Sequence, residues 1–364
     1  MVSLNLKKEQ ILKKDKYHIV GVMSGTSLDG IDLCEINFEN IEGKWNFDIV
    51  NCETIAYSPF WKNELQEAIN FSKEQLERLD FKYTEKLSDE ISGFIRRNNI
   101  REIDAVCSHG HTILHRPEKG LTYQIGNLPR ISKSLGQKVV CNFRVQDVKF
   151  GGQGAPLVPI GDLMLFPEYD FCLNLGGFAN CSFQRGDERI AYDICPANIV
   201  LNYYAEKLGQ DFDKGGKLAM SGNLNSGCLQ NLNSLPYYKS SPPKSLGLEW
   251  VKENIFPILD SSRISNEDIL RTFTEHIAIQ LNNQFLDDSS VLITGGGAYN
   301  SFLIDRVKIL GSIDIVIPSQ EIIEYKEALI FGLLGVLKLR GEVNCLASVT
   351  GANKNHSSGK IYSP

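Results

Sequence analysis

The chain of 364 residues contains nine cysteines but no Cys-x-x-Cys pair. An odd count without paired spacing argues against a disulfide framework or a zinc site, so the cysteines are expected to be small buried residues in a reducing compartment. No apolar run is long enough for a membrane span. The longest, Ala328–Leu337, falls well short of the ~20 residues a transmembrane helix needs. There is no long basic run, and net charge is −6, so no nucleic-acid surface is expected. The lysine-rich start, MVSLNLKKEQILKKDK, lacks the apolar stretch of a signal peptide, and the cytoplasm is the expected location. Two nucleotide motifs are also missing. No G-x-G-x-x-G follows a strand, and the GGK at 215–217 continues with Leu218, which rules out a Walker A loop.

With 42% apolar and 23% charged residues, the composition is that of a globular α/β protein large enough for two packed domains. His18–Met23 and Ile31–Phe38 predict a β-hairpin. Residues 59–98 predict helix, with Ser72 and Gln75 as a capping box and apolar positions at Leu76, Leu79, Tyr83, Leu87 and Ile91. Ile103–Cys107 and Val139–Phe143 predict short strands, the first followed by SHGHT and the second by RVQD. The glycine-rich 151–159 breaks the pattern. Then Phe171–Leu175, a GGFAN turn and Cys181–Gln184 repeat the strand–glycine–strand idea, and Ile190–Tyr192 leads into DICPAN. Helix is expected from Asn198, over Glu267–Leu286 and over Lys326–Leu339, with a strand at Val291–Thr294 before GGGAYN. An internal duplication accounts for the repeat; so does the frequency of strand–glycine turns in any α/β protein.

The tip of the first hairpin, Ser24-Gly25-Thr26-Ser27-Leu28-Asp29-Gly30-Ile31-Asp32, combines hydroxyls, glycines and carboxylates. Glycine lets backbone N–H groups approach an anion, and a carboxylate beside phosphate calls for a cation such as Mg²⁺, with Asp29 as its candidate ligand. The same residues also suit a solvated turn. Gly176 and Gly177 offer a second such turn, and Gly295, Gly296 and Gly297 allow a flat base or ribose to lie against backbone.

Taken in order, GVMSGTSLDGID, SHGHT, NFRVQD, GGQGAPLVP, NLGGFAN, the Asp193–Asn198 loop, PKSLG, GGGAYN, EALIFG and SVTGA resemble the anhydro-N-acetylmuramic acid kinases of the sugar kinase, actin and heat-shock ATPase superfamily. The resemblance implies a two-domain actin-like, ribonuclease H-like fold with an interdomain cleft. One domain would be 17–142 plus 340–364 and the other 143–339. It implies ATP with Mg²⁺ as cofactor and a sugar as substrate, no nucleic-acid or membrane partner, and leaves a homodimer open. The implied reaction opens the 1,6-anhydro bridge with water and phosphorylates the freed O6. By motif position Asp193 would be the base that deprotonates the water; a helix N-cap before Asn198 is the alternative role. Substrate roles are implied for His109, His111, Arg144, Asp147, Asn198 and Glu327. Against these stand backbone capping for the histidines, an interdomain ion pair for Arg144 and an exposed first-turn position for Glu327. The chain departs from the family at Asp193-Ile194-Cys195-Pro196-Ala197-Asn198, where Asp-Thr-Gly-Pro-Gly-Asn is usual. That loop leaves open a kinase for another amino or anhydro sugar, or a binding relative without catalysis.

Overall fold

The computed structural model describes residues 13–25 and 27–364. It comprises two compact units: the described residues up to Val158 together with Glu327–Pro364, and Pro159–Lys326.

In the first unit β1 (Lys16–Ser24), β2 (Gly30–Ile41) and β3 (Lys44–Ala56) form an antiparallel meander. β4 (Ala105–Ser108) runs parallel to β1; β5 (His111–Arg116) and β6 (Leu121–Ile125) pair apart from it as a hairpin; β7 (Val139–Cys141) runs parallel to β4. The second unit begins again with a meander, β8 (Phe171–Leu175), β9 (Phe178–Arg185) and β10 (Glu188–Pro196). To it are added β11 (Ser290–Thr294), parallel to β8, and β12 (Asp314–Val316), parallel to β11. A last strand, β13 (Lys360–Tyr362), returns to β7. The sheet orders are β13-β7-β4-β1-β2-β3 and β10-β9-β8-β11-β12. Each sheet therefore carries the ribonuclease H-like order, a three-strand meander extended by two parallel strands beside its first strand. The strand arrangement repeats, and the glycine turn falls between the first two strands of both meanders.

Burial explains why these strands form. β1 is flanked on both sides, and Val20, Val22, Ile31 and Leu33 pack with Leu79, Tyr83, Leu87 and Ile91 of the helix Lys73–Arg97. That helix opens with the expected capping box: Ser72 accepts the Gln75 N–H, and Gln75 Oε1 accepts the Ser72 N–H at 2.8 Å. The expected stretch 59–98 is broken, however, into Pro59–Glu67, a short turn at Ala68–Asn70 and Lys73–Arg97. The sheet's other face meets the apolar helix Gln320–Leu339, which begins earlier than expected. A Cβ on Gly21 would lie 2.3 Å from Ala328 O, and one on Gly335 would lie 2.0 Å from Cys107 Sγ. In the second unit, Leu173, Leu175 and Ile293 pack with Val200, Leu201 and Tyr204 of the helix Asn198–Glu206 and with Phe273, Ile277 and Leu281 of Asn266–Asn282.

Two expectations change. Residues 143–158 and 327–339 group with the first unit instead of the second. The reason is local bonding: Gln153 N–H donates to Thr350 O, Asn353 N–H donates to Phe150 O, and the glycines of the last helix close onto the first sheet. Neither β3 nor the β5–β6 hairpin was among the expected elements. The alternation Trp45, Phe47, Ile49 of β3 slips at Val50, where its register with β2 shifts between Glu35 and Ile36. All nine cysteines are free and all but Cys52 are buried. Among the described residues no helix is long and apolar enough to cross a membrane.

Gly21→Ala places a methyl group against the Ala328 carbonyl, which cannot rotate away. It should destabilise the chain by about 1–3 kcal/mol, seen as a lower urea midpoint at unchanged slope. An unchanged midpoint would contradict the close helix–sheet contact.

Candidate active site

In the first unit β1 ends at Ser24, which is 2% exposed. Its hydroxyl meets Tyr57 OH at 2.7 Å, Tyr83 OH at 3.0 Å and His111 Nδ1 at 2.8 Å. The chain then emerges. Gly25 is half-buried, Ser27 and Asp29 are exposed, and Leu28 adopts a left-handed φ of 61°. Thr26 lies outside the described residues. A Cβ on Gly25 would meet only its neighbour Ser27, at 3.4 Å, so the space beside it is open. Gly30 and Ile31 differ from the rest of the expected phosphate turn. They are strand residues: a Cβ on Gly30 would strike Ile55 O at 2.5 Å, and Ile31 is fully buried, so both offer a ligand backbone only. Asp32 accepts the Thr54 hydroxyl at 2.7 Å.

SHGHT follows β4 and puts two neutral histidines inside the unit. Arg144 Nε donates to His109 Nε2 at 2.9 Å, so that nitrogen carries a lone pair and Nδ1–H donates to Gly110 O at 2.8 Å. Burial, reinforced by the Arg144 charge, holds His109 well below the usual histidine range. Burial also lowers His111 to about 4. Gln124 donates to His109 O and to the Thr112 hydroxyl, and so fixes the turn. Arg144 Nη1 donates to Gly154 O at 2.8 Å. Burial lowers the guanidinium to about 10, against the raising influence of Glu327, Cys345 and Asp147, and it stays protonated at neutral pH.

Two expected substrate residues have other surroundings. Asp147 is fully buried. Its Oδ2 accepts Gly154 N–H at 2.7 Å, and its Oδ1 accepts the Thr350 hydroxyl at 2.8 Å and the Cys345 thiol at 3.0 Å. Its oxygens are committed within the fold. Glu327 is exposed but lies inside the helix Gln320–Leu339, not at its first turn.

In the second unit the expected residues converge. β10 bulges between Asp193 and Cys195, which turns its end out of register with β9. The 236–247 segment clasps the half-buried Asp193 at three points. Asp193 N–H donates to Lys244 O at 3.2 Å, Leu246 N–H donates to Asp193 Oδ2 at 2.8 Å, and Tyr237 OH donates to Asp193 O at 2.6 Å. Oδ1 has no hydrogen-bond partner among the described residues. Burial raises the carboxyl above the ordinary aspartate range, partly offset by the Leu246 N–H. Asp193 is thus a strand residue, not a helix N-cap. After it, Ile194, Cys195 and Ala197 are fully buried in the core. Ala197 and Ile199 donate their N–H groups to Gly177 O, and Asn198 donates its own to Gly176 O. The Asn198 side chain donates to Leu175 O at 3.1 Å. Gly295 and Gly297 come against Leu175 as well, each where a Cβ would collide, and Gly295 has a φ of 81°. Gly296 has open space, its nearest contact being Asn198 Nδ2 at 3.9 Å. The helix after the triplet begins only at Ser301, capped by Asn300.

Several residues of this architecture were not among the expected site residues: Ser24, Tyr57, Tyr83 and Gln124 in the first unit, and Tyr237, Lys244 and Leu246 in the second. Ser24 and PKSLG belong to the motifs named above, but their partners lie far away in sequence.

The model of the anhydro-N-acetylmuramic acid kinase family matches residues 17–364. The anhydro-N-acetylmuramic acid kinase of Francisella tularensis subsp. novicida (strain U112) is 32% identical, covering 94% of this chain and 98% of that protein. That of Sulfurimonas denitrificans (strain ATCC 33889 / DSM 1251) is 31% identical over 94% and 98%. Among solved structures, (R)-2-hydroxyglutaryl-CoA dehydratase component A of Acidaminococcus fermentans aligns with a TM-score of 0.47 at 13% identity, over 89% of this chain and 99% of that one. A duplicated ribonuclease H-like sheet with a glycine turn in each copy defines the class, and this chain belongs to the anhydro-N-acetylmuramic acid kinase family.

The neutral His111 has a thermodynamic consequence. Its folded value of about 4 lies below the ordinary 6.5, so the unfolded chain takes up the proton first. The stability this histidine contributes is complete above the unfolded value and is lost as pH falls from 6.5 toward 4. Between about pH 7 and about pH 5.5, His111→Gln should remove roughly 1 kcal/mol of the pH-dependent loss in unfolding free energy. Identical losses in both proteins would mean that His111 is not held neutral.

Proposed function

We propose that the chain is an ATP-dependent kinase that opens the anhydro bridge of 1,6-anhydro-N-acetylmuramic acid and phosphorylates O6 during cell-wall recycling, with Asp193 as its general base. The observation that supports this most is the state of Asp193 in a chain of this family. Its carboxylate is clasped through one oxygen, leaves the other uncommitted, and is made more basic by burial. Water attacks the anomeric carbon while Asp193 Oδ1 takes its proton. The bridging C–O bond breaks, and O6 accepts the γ-phosphoryl group, with ADP as leaving group.

The remaining roles accord with the geometry of each unit. Gly25, Thr26, Ser27, Leu28 and Asp29 offer backbone and side-chain groups to the phosphates, helped by Gly30, Ile31 and Asp32 through backbone or position. Gly176 and Gly177 are assigned phosphate contacts of the same kind, and Gly295–Gly297 the adenosine. The open side of Gly25 and the exposed Asp29 carboxylate suit a phosphate–metal group. Asp29 is the carboxylate that would hold Mg²⁺, which when bound would supply charge neutralisation for the transferring phosphoryl group. Arg144, held by His109 and Gly154, is assigned to the muramyl carboxylate, and His111 Nε2 to a sugar hydroxyl. Asn198 braces the second glycine turn. Asp147 is assigned a bracing role instead of a substrate contact, and Glu327 the tuning of the Arg144 charge. The substituted loop does not favour a binding-only relative, because Ile194, Cys195 and Ala197 turn into the core.

The test is ATP consumption with and without the anhydro sugar, with the product's phosphate position read by phosphorus NMR. Sugar-dependent ADP formation with phosphate on O6 is expected. Asp193→Asn should lower kcat by at least about 10²-fold while changing either ligand's affinity by less than about tenfold. ATP binding without turnover on the anhydro sugar would refute the reading, and near-normal turnover in the variant would refute the base.

A further inference from the structure

Away from the groups assigned to catalysis, the first unit holds a compact set of potential metal ligands. Asp147, Cys345 and His356 each present one donor atom, and the three atoms lie within 4.8 Å of one another. The residues are 0%, 1% and 6% exposed. The backbone brings them together. Cys345 and His356 form an isolated antiparallel bridge, with N–H···O bonds in both directions at 3.1 and 3.2 Å, so two ligands from one short excursion stand side by side. Asp147 meets them from the short helix Val145–Lys149.

The state of His356 points to a cation. Its Nδ1 lies 3.1 Å from Lys354 O. A carbonyl only accepts, so Nδ1 carries a proton, and in the neutral ring Nε2 presents a lone pair. That lone pair is buried, has no hydrogen-bond partner, and lies 3.7 Å from Asp147 Oδ1, another acceptor and beyond bonding distance. The edge-on ring of Phe150, at 5.0 Å and 89°, holds the imidazole in this orientation. A buried ring nitrogen facing a carboxylate calls for an electrophile between them, either a second ring proton, which makes the two an ion pair, or a metal cation. On the third side, the Cys345 thiol donates its proton to Asp147 Oδ1 at 3.0 Å.

We propose that Asp147 Oδ1, Cys345 Sγ and His356 Nε2 bind a divalent cation of the zinc class, which replaces the thiol proton of Cys345. Mixed sulfur, nitrogen and oxygen donors suit Zn²⁺ or Co²⁺ and not Mg²⁺, which takes six oxygens. A metal-bound histidine ordinarily donates its other ring N–H to a carbonyl or carboxylate, as His356 does to Lys354 O. The Thr350 hydroxyl, beside Asp147, is a further oxygen for the fourth position. The site is structural. Asp147 Oδ2 holds Gly154 N–H and Gly154 O holds Arg144, so the cation braces the loop that aims the guanidinium. The proposal does not depend on which sugar the enzyme takes.

The test uses the full chain, stripped with a chelator, dialysed and titrated with Co²⁺ alone. The expected result is about one Co²⁺ per chain, with a near-ultraviolet thiolate-to-cobalt band and the visible bands of a four-coordinate ion, all abolished by Zn²⁺. Cys345→Ser should lose the thiolate band, and His356→Gln should weaken Co²⁺ binding at least about tenfold. Equimolar Zn²⁺ should raise the thermal midpoint of the natural chain and leave that of His356→Gln unmoved. If Cys345→Ser does not fold, the natural chain's band and the His356→Gln comparison decide. Absence of a thiolate band in the natural chain, a band that survives Cys345→Ser, or binding unaffected by His356→Gln would each overturn the site.

Discussion

The second unit depends on the clasp that the 236–247 segment places on the end of β10. Hydrogen bonds donated by Tyr237 and Leu246, and one accepted by Lys244 O, fix both the backbone and one carboxylate oxygen of Asp193. The bulge after Asp193 frees that strand end from its ladder, and the buried side chains of Ile194, Cys195 and Ala197 anchor the end of the strand in the core. From there the chain enters a helix whose first N–H groups are satisfied by the carbonyls of Gly176 and Gly177. The glycine turn, Asp193 and the glycine triplet around Leu175 are thereby parts of one bonded frame. A carboxylate held this way need not reorganise in order to accept a proton, which is how a preorganised site lowers a barrier.

The first unit solves a different electrostatic problem. Its interior holds a guanidinium without a directly bonded carboxylate at Nε or Nη1; these donate instead to a neutral histidine and to a carbonyl. A neutral acceptor orients Arg144 without cancelling its charge, which stays available for an anionic group. The same device appears at Ser24, whose hydroxyl joins two tyrosines and a neutral histidine just before the chain turns outward. Polar groups buried in this way are tolerable because each is bonded, and they make the geometry specific.

Much of this was legible in the sequence wherever it is written locally. The hairpin around residues 24–30, the capping box at Ser72 and the repeated strand–glycine–strand pattern depend on neighbours a few residues apart. What depended on distant partners was not legible. Glycines 30, 295 and 297 serve close approach of backbones, Ile55 to the first and Leu175 to the other two, and no local pattern distinguishes that from phosphate contact. The domain boundary shifted because glycines in the last helix fit the first sheet and because 143–158 bonds to the C-terminal segment. Asp147 sat in a motif that suggested a ligand contact, yet its partners are Gly154, Cys345 and Thr350. Its proximity to Cys345 and His356 is likewise invisible to a search for paired cysteines, because the three residues are spread over about two hundred positions of sequence.

As the proposed base, Asp193 has a carboxyl pushed upward by burial. The most direct measurement is the pH dependence of kcat/KM for the anhydro sugar, with brief exposure to acid and full recovery at neutral pH as the stability control. A base must be ionised, so the rate should fall as pH drops through the Asp193 value. The midpoint of that acid limb should lie above the ordinary aspartate value of about 3.9. A rate that stays level down to that ordinary value, in enzyme that recovers fully, would contradict the account.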